Sequence, residues 1–211
     1  MITPDRAEIV GFLCAEGCYY AYKGKYWEFD KRRNKKYFRS KNEEVLQMAN
    51  NNKKIQKRFI FLMDRTYGYA PRFYGDKHSM RCTIKRKSVI NDLRKYSKKY
   101  NSFDWKLHRS IQHGSKRIKN AFLRGFFDGD GSFTKASANC YRIRFFSVNI
   151  KELRKVQTIL TSLSMKNKLY GPYFGNRSKT GYYELTLNTK AATHFIKTIK
   201  PTKIDFECRN N

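Results

Sequence analysis

The stretch FLRGFFDGDGSF, residues 122–133, joins an apolar segment to a run of glycines and aspartates. The apolar part reads as a helix, and Gly131 suits the position that follows a helix C-terminus. The helix would then end at Asp130, where the helix dipole disfavours a carboxylate by roughly 0.3–1 kcal/mol. The chain has 46 Lys and Arg residues against 17 Asp and Glu residues, so an acid in this unfavourable place indicates a specific role.

The same pattern occurs a second time, near the N-terminus. IVGFLCAEGCY, residues 9–19, aligns with LRGFFDGDGSF, residues 123–133, and this alignment places Glu16 on Asp130. Two further matches follow in the same order: KYFRSKNEEVLQ (36–47) with RIRFFSVNIKELRK (142–155), Asn42 laid on Asn149, and RCTIKRKSVI (81–90) with YELTLNTKAATHFI (183–196). Three matched segments in one order indicate a duplicated unit.

Each copy predicts the order helix, two strands, helix, two strands, helix. Apolar periodicity predicts the helices, and alternating basic and aromatic residues predict the hairpins between them. The fold class is therefore α+β, with two pseudo-symmetric αββαββα units. We expect helices at about 5–16, 42–66 and 86–98 in a unit of residues 1–98, a linker at 99–114, and helices at about 115–130, 149–164 and 189–199 in a unit of residues 115–211.

The two first helices are expected to pack against each other. Small residues lie four apart on both of them, at Gly11 and Ala15 and at Gly125 and Gly129. Residues four apart share a helix face, and a face of small residues lets another backbone approach closely. The simplest partner for each helix is the other copy, so the two units would be joined through their first helices.

This packing would bring two carboxylates together at one end of the helix pair. Glu16 and Asp130 would repel each other there, and a bound cation would offset the repulsion. Mg²⁺ or Mn²⁺ fits, because such cations take carboxylate and carbonyl oxygens, and the carbonyls of Ala15 and Gly129 are candidate further ligands. Paired acids with divalent metal indicate phosphodiester chemistry, in which metal activates water and stabilises the departing oxyanion.

The charge of the chain indicates a polyanionic partner. A formal net charge of +29 makes nucleic acid the leading candidate. Membrane binding is not expected, because basic residues alternate with aromatic ones and no apolar run approaches the roughly 18 residues of a membrane span. The five cysteines are odd in number and form no C-x-x-C pair, which is typical of reduced thiols. Without a targeting signal, we expect the protein to act inside the cell, at DNA.

The two motifs resemble those of the LAGLIDADG homing endonucleases, in their single-chain, two-motif form. The resemblance implies a monomer that cuts both strands of a long, asymmetric double-stranded DNA site and is encoded by an intron. It assigns Glu16 and Asp130 as catalytic metal ligands, although Glu16 stands where the family more often has Asp. Cys14 stands opposite Asp128, which argues against Asp128 as an essential ligand.

The resemblance also implies that curved antiparallel sheets form a saddle in the DNA major groove. The sequence agrees, since a two-stranded ribbon fits that groove and arginine is its commonest specific reader. One face of the first hairpin in each copy gives the candidate DNA-binding residues Tyr20, Tyr22, Lys35, Tyr37, Arg39, Arg142 and Arg144. Arg72, Arg81, Arg177 and Lys179 would extend this surface on the second hairpins.

A lysine close to the scissile phosphate is a further implication of the resemblance. Lys41, at the end of the first predicted hairpin, and Lys203, after the last helix, are the candidates; Val148 is laid opposite Lys41. Two other functions stay open on the same scaffold. One is an RNA-binding maturase that assists splicing of intron RNA, and the other is a DNA-binding protein without catalysis. Acids in both motifs favour cleavage over both.

Overall fold

Two four-stranded antiparallel sheets, each flanked by helices, follow each other along the chain. The computed structural model describes residues 1–76, 79–137, 140–174 and 180–204. The first unit contains α1 (Pro4–Glu16), β1 (Gly17–Asp30), β2 (Lys35–Ala49), α2 (Lys53–Tyr67), β3 (Phe73–Asp76), β4 (Ser79–Ile84) and α3 (Lys87–Arg94). A short helix, α4 (Arg109–Gln112), precedes the second unit.

The second unit repeats this order. It contains α5 (Lys116–Asp130), β5 (Ser132–Ser137), β6 (Cys140–Ser147), α6 (Ile150–Ser162), β7 (Asn167–Tyr173), β8 (Tyr182–Leu187) and α7 (Thr189–Ile199). The strand orders are β1-β2-β4-β3 and β5-β6-β8-β7, so the two sheets have the same topology. The predicted α+β class and the duplicated αββαββα order are confirmed. No helix of the described residues is long and apolar enough to cross a membrane.

Helices α1 and α5 pack backbone against backbone. A Cβ atom on Gly125 would overlap the Glu8 carbonyl oxygen, and one on Gly11 would overlap the Phe122 carbonyl oxygen. A Cβ atom on Gly129 would overlap the side chain of Ala15. The predicted contact through small residues is therefore confirmed. It places the C-terminal ends of the two helices side by side.

The segment between the units is packed rather than loose. Trp105 is buried and its ring lies 5.2 Å from that of Phe126. The Asn149 amide donates to the carbonyls of Phe103 and Trp105, each at 2.9 Å. These bonds fix the connecting segment to the start of α6. The buried residues of both units belong to one hydrophobic core, and Trp105 is part of it.

One predicted helix begins too early. Residues 42–49 belong to β2, and α2 starts only at Lys53. Residues 42–48 pair with β1, in register from Asn42 opposite Lys23 to Met48 opposite Gly17, and Ala49 pairs with Arg81 of β4; this pairing decides their conformation. The alignment of Asn42 with Asn149 was therefore wrong. The helix-capping counterpart of Asn149 is Asn52, because the first hairpin is longer than its counterpart in the second unit.

The helices that carry the acids turn directly into strands. Gly17 and Gly131 follow α1 and α5 with extended backbones, φ −87° and −74°, rather than the left-handed one expected after a helix. Glycine is needed for space: a Cβ atom would overlap the Leu13 carbonyl oxygen in the first case and the Phe127 ring in the second. As a result the acidic residue of each motif stands at the junction of helix and sheet.

Candidate active site and nucleic-acid face

Glu16 and Asp130 lie close together at the ends of α1 and α5. A Cβ atom on Gly129 would come within 3.2 Å of the Glu16 Cγ atom, so the two helix ends are in contact. The pKa of Asp130 is raised to about 7, first by desolvation among the surrounding protein atoms and then by the charge of Glu16, against the opposing charge of Lys203. Desolvation also raises the pKa of Glu16, while Lys203 and Asn50 act in the opposite direction. The sequence prediction that the helix pair unites two repelling acids is confirmed.

Lys203 stands beside this acid pair. Its ammonium group donates to the carbonyl of Gly131 at 2.7 Å and to that of Gly129 at 3.4 Å. Its charge lowers the pKa of both Glu16 and Asp130. Of the two lysines predicted near the acids, the structure therefore brings in Lys203, from beyond the end of α7.

Lys41 lies elsewhere. It is in the middle of β2, opposite Gly24, and lines a cleft with Glu43 and Lys85. Met48 is opposite Gly17, the residue that follows Glu16. Lys41 is seven positions from Met48 in the same strand, which corresponds to about 23 Å. The prediction that Lys41 ends the first hairpin was wrong, because β2 continues to Ala49.

Asp128 holds the segment that carries Lys203. Its carboxylate is fully buried and accepts hydrogen bonds from the backbone N–H groups of Thr202, at 2.9 Å, and Lys203, at 3.0 Å. Burial raises the pKa of this carboxyl, and the two N–H donors counteract the shift. The sequence argued against Asp128 as an essential ligand, and in the structure its carboxylate binds protein backbone. Its role as an anchor was missed, because the partner residues lie about 75 positions away in the chain.

Asn50 is a second residue that sequence reasoning missed. Its side-chain NH₂ group donates to a carboxylate oxygen of Glu16 at 3.5 Å, and its side-chain oxygen accepts from the backbone N–H of Asn52 at 2.9 Å. The same turn occurs in the second unit, where the Ser147 hydroxyl accepts from the N–H of Asn149 at 3.0 Å. A correct alignment of Asn52 with Asn149 would have revealed both residues.

Each acid therefore has its own surroundings. We call Glu16, Asn50 and Lys203 the Glu16 half-site. The Asp130 half-site is a cavity of about 180 Å³ beside Asp130. Its walls contain neither Lys nor Arg, and they are formed by Cys14, Ala15, Ser102, Trp105, Asp130, Phe146, Ser147, Val148 and Tyr182.

The oxygen atoms at the helix ends fit a divalent cation of the magnesium type. Two carboxylates with raised pKa values face each other, and the carbonyls of Ala15 and Gly129 belong to the same helix ends. Such hard cations prefer oxygen ligands and keep water or phosphate in their remaining positions. Within the described residues no group of three or more His, Cys, Asp or Glu side chains could hold a metal. Protein carboxylates would thus supply only part of the coordination.

The predicted DNA-binding residues of the first sheet lie on one face. Leu46 and Met48 point to the core, so the residues that alternate with them and their strand partners form the open face. This register places six predicted residues there: Tyr20, Tyr22, Lys35, Tyr37, Arg39 and Arg81. Arg72 is exposed immediately before β3.

The second sheet has the same arrangement. Ile143 and Phe145 are buried, and Arg142 and Arg144 alternate with them on the open face. Arg144 donates to the Thr134 hydroxyl at 3.2 Å, whereas the Arg142 side chain is exposed. The two remaining predicted contacts, Arg177 and Lys179, lie outside the described residues.

Comparison with known proteins gives a consistent result. Residues 117–200 match the family described as LAGLIDADG-like domain. Among solved structures, mesophilic variants of the homing endonuclease I-DmoI match with a TM-score of 0.62 at 16% identity, over 93% of this chain and 94% of that one. I-DmoI in complex with DNA and Ca also matches, with the same TM-score and identity, over 93% and 88%.

A more distant match is full-length DUF199/WhiA from Thermatoga maritima. Its TM-score is 0.59 at 13% identity, over 99% of this chain and 58% of that one. No curated protein matches at the sequence level. At these identities the structural matches establish a shared fold.

Proposed function

The chain has the LAGLIDADG fold in its single-chain, two-motif form, and from this we propose that it is a site-specific, divalent-metal-dependent endonuclease of double-stranded DNA. The observation that carries the proposal is the pair Glu16 and Asp130 beside the ammonium group of Lys203. A protein that only binds DNA has no need of two repelling acids at a helix junction, because each costs stability there.

Each residue at the helix ends has a separate role in the proposed cleavage. Glu16 and Asp130, with the carbonyls of Ala15 and Gly129, would hold Mg²⁺ or Mn²⁺. When bound, the cation lowers the pKa of water and stabilises the leaving oxygen. Lys203 places a positive charge where charge develops on the scissile phosphate. Asn50 donates to Glu16 and so fixes the orientation of that carboxylate.

The substrate follows from the open faces of the two sheets. Both carry arginine, lysine and tyrosine side chains on strands of a size that fits a major groove. The two sheets differ in sequence, so the DNA site would be asymmetric, and one chain with both motifs would act as a monomer. Encoded by an intron, such a protein would act at DNA inside the cell.

The test begins with the DNA site, which can be selected from a randomised duplex library in Ca²⁺. A plasmid with the selected site is then incubated with the protein in Mg²⁺, in Mn²⁺ or in EDTA. We expect linear product with either metal and none in EDTA. Glu16→Gln and Asp130→Asn should retain binding to the selected site and lose cleavage.

Two results would contradict the proposal. Tight, site-specific binding without cleavage in either metal would make the chain a DNA-binding protein rather than a nuclease. Cleavage by Glu16→Gln and Asp130→Asn at the wild-type rate would leave the nuclease in place but show that other residues carry the chemistry.

A further inference from the structure

The first hairpin extends far beyond the body of the protein. Strands β1 and β2 pair over 14 residues, from Gly17 opposite Met48 to Asp30 opposite Lys35. Strand β4 pairs with β2 only over Leu46–Ala49. At about 3.3 Å per residue, the part of the hairpin beyond this contact projects by roughly 30 Å.

Exposed aromatic side chains occupy one face of the projecting part. Trp27 and Phe38 are directly opposite each other, and their ring centroids are 5.4 Å apart. Phe29, two residues further along, lies on the same face. The exposed fractions are 69% for Trp27, 53% for Phe38 and 50% for Phe29. We call Trp27, Phe29 and Phe38 the aromatic platform. It is on the side opposite to Tyr20 and Tyr22, and hence opposite to the proposed DNA face.

The platform is surrounded by positive charge. Lys23, Lys25 and Lys36 alternate with it on the same face, and no ion pair between described residues includes any of the three. The one acid on this face, Glu44, lies at the base of the hairpin and pairs with Arg94 at 3.4 Å.

On the opposite face of the hairpin, basic side chains form ion pairs with acids. There Arg39 pairs with Glu28 at 3.1 Å, and Lys85 pairs with Glu43 at 3.6 Å. Cations on that face are partly neutralised by neighbouring acids, whereas those beside the aromatic platform are not. The platform face is therefore the more attractive one for a polyanion at this end of the molecule.

We propose that the aromatic platform and its three lysines bind single-stranded RNA. Aromatic side chains stack on unpaired bases, and flanking lysines hold the phosphates between them. A DNA duplex cannot use the platform, because its bases are already stacked on one another. A protein partner is disfavoured, because lysines are depleted from the cores of protein interfaces.

RNA is favoured over single-stranded DNA by two polar residues between the lysines. Asn42 is opposite Lys23 and Ser40 is opposite Lys25, so an amide and a hydroxyl lie on the same face. Both groups can hydrogen-bond the 2′-hydroxyl, which distinguishes RNA from DNA. This second binding surface goes beyond the proposed nuclease, since it neither contacts the acid pair nor requires cleavage.

The two tryptophans of the chain give a direct measurement. Trp27 is exposed and Trp105 is buried, so a ligand that stacks on the platform quenches Trp27 selectively. The probe is an unstructured RNA of about 12 nucleotides, close to the site size of other single-strand binders. We expect saturable quenching by this RNA, weaker quenching by single-stranded DNA of the same sequence, and none by the corresponding duplex.

Substitutions separate stacking from attraction by charge. Phe38→Leu retains Trp27 and all charges, and we expect roughly 5- to 100-fold weaker RNA binding by fluorescence anisotropy. Trp27→Leu should have a similar effect. Tyr22→Leu, on the opposite face of the same hairpin, is the matched control and should leave RNA binding unchanged. Lys25→Gln should reduce the slope of log affinity against log salt by about 0.7 for one lost phosphate contact.

Several outcomes would overturn the proposal. Wild-type affinity of Phe38→Leu and Trp27→Leu for RNA would place the RNA elsewhere on the basic surface. Equal or tighter binding of single-stranded DNA would contradict the assignment to RNA. If anionic phospholipid vesicles quench Trp27 and RNA does not, the platform binds a membrane surface. If wild type is a dimer and Trp27→Leu is a monomer, the platform binds a second copy of the chain. Because duplex cleavage is measured separately, failure of this proposal leaves the proposed nuclease untouched.

Discussion

The two half-sites have nearly the same backbone and very different side chains. In both, a helix ends at an acid, turns at glycine into a strand, and meets a turn capped by asparagine, Asn52 in one unit and Asn149 in the other. The Glu16 half-site contains the amide of Asn50 and the charge of Lys203. The Asp130 half-site contains the serine side chains of Ser102 and Ser147, and its cavity wall has neither Lys nor Arg.

The repeated backbone therefore determines where the acids lie, and the residues that differ between the two copies determine what surrounds them. The difference begins inside the motif: Asp128 binds the backbone that carries Lys203, whereas Cys14, its counterpart, is buried and has no carboxylate to do so. If each acid serves mainly one DNA strand, we expect the strand cut at the Glu16 half-site to be cut first.

The largest effect is expected from removal of either acid. Glu16→Gln or Asp130→Asn should slow cleavage at least about a thousandfold, equivalent to about 4 kcal/mol, because each removes a charged ligand from the proposed cation. End-labelled strands measured separately should show that each variant affects one strand more strongly than the other. Equal loss on both strands in both variants would contradict the assignment of one acid to one strand.

Separation of the two helices should damage both half-sites alike. Gly125→Ala would force a Cβ atom into the Glu8 carbonyl oxygen, and backbone cannot move aside easily. We expect a loss of about 3 kcal/mol in the free energy of unfolding, measured by urea denaturation. Gly24→Ala is the control, because its Cβ atom would meet only ordinary contacts of 3.6 Å or more. A Gly125→Ala protein as stable as wild type would mean that the two helices have room for a Cβ atom at this contact.

Loss of the lysine should affect the half-sites unequally. Lys203→Gln removes a charge that acts on both acids, and we expect roughly 100-fold slower cleavage, with the larger effect on the strand cut at the Glu16 half-site. Lys190→Gln, an exposed lysine at the start of α7, serves as the control for charge alone. Strand-resolved rates from single-turnover reactions provide the measurement. An equal slowing of the two strands would remove the proposed asymmetry.

Asp128 should act through Lys203 rather than directly. Asp128→Asn weakens the acceptor of two backbone N–H groups, and we expect cleavage about tenfold slower as Lys203 loses its fixed position. The double variant with Lys203→Gln should be no slower than Lys203→Gln alone, since a positioning residue has no effect without the group it positions. Asp104→Asn, an exposed acid outside both half-sites, is the control for loss of a carboxylate alone. Additive effects would show a separate role for Asp128.

Sequence reasoning reached the acid pair because a repeat makes two distant residues equivalent. Glu16 and Asp130 occupy the same place in two copies, and small residues four apart predicted that these copies meet. The fold class followed from the same repeat. The acid pair needed only a motif of about eleven residues, whereas the fold class needed the three matched segments along each copy.

The repeat could not predict which residues contact the two acids, namely Asn50 and Lys203. Residues 42–49, NEEVLQMA, are mostly good helix formers, and their pairing with β1 and β4 makes them a strand. Because a helix was predicted over these residues, Asn42 was aligned with Asn149 in place of Asn52, and Asn50 was not recognised as a neighbour of Glu16. The contact between Asp128 and the segment at Lys203 joins residues about 75 positions apart, and no periodicity reports a contact of that kind.

The smallest expected effect concerns stability in the absence of metal. The pKa of Asp130 is raised to about 7 in the folded protein, from an ordinary value of 3.8. Folding therefore favours its neutral form, so stability falls as pH rises from about 4 to 7 and stays lower above that range. Asp130→Asn removes this penalty. Because the side chain is accessible to solvent, screening reduces the gain to about 1 kcal/mol, or about 2–4 °C in Tm.

Thermal melts in EDTA at pH 4 and pH 8 measure this effect. We expect Asp130→Asn to melt above wild type at pH 8 and level with it at pH 4. Asp104→Asn is the control with the opposite sign, because hydrogen bonds from Asn101 and Lys99 lower the pKa of Asp104. Added Mg²⁺ should then raise the Tm of wild type more than that of Asp130→Asn, since the carboxylate that destabilises the metal-free fold is the one proposed to bind the cation. A variant that melts below wild type at pH 8 would mean that Lys203 already compensates both acids, and the two half-sites would then be more alike in charge than their side chains indicate.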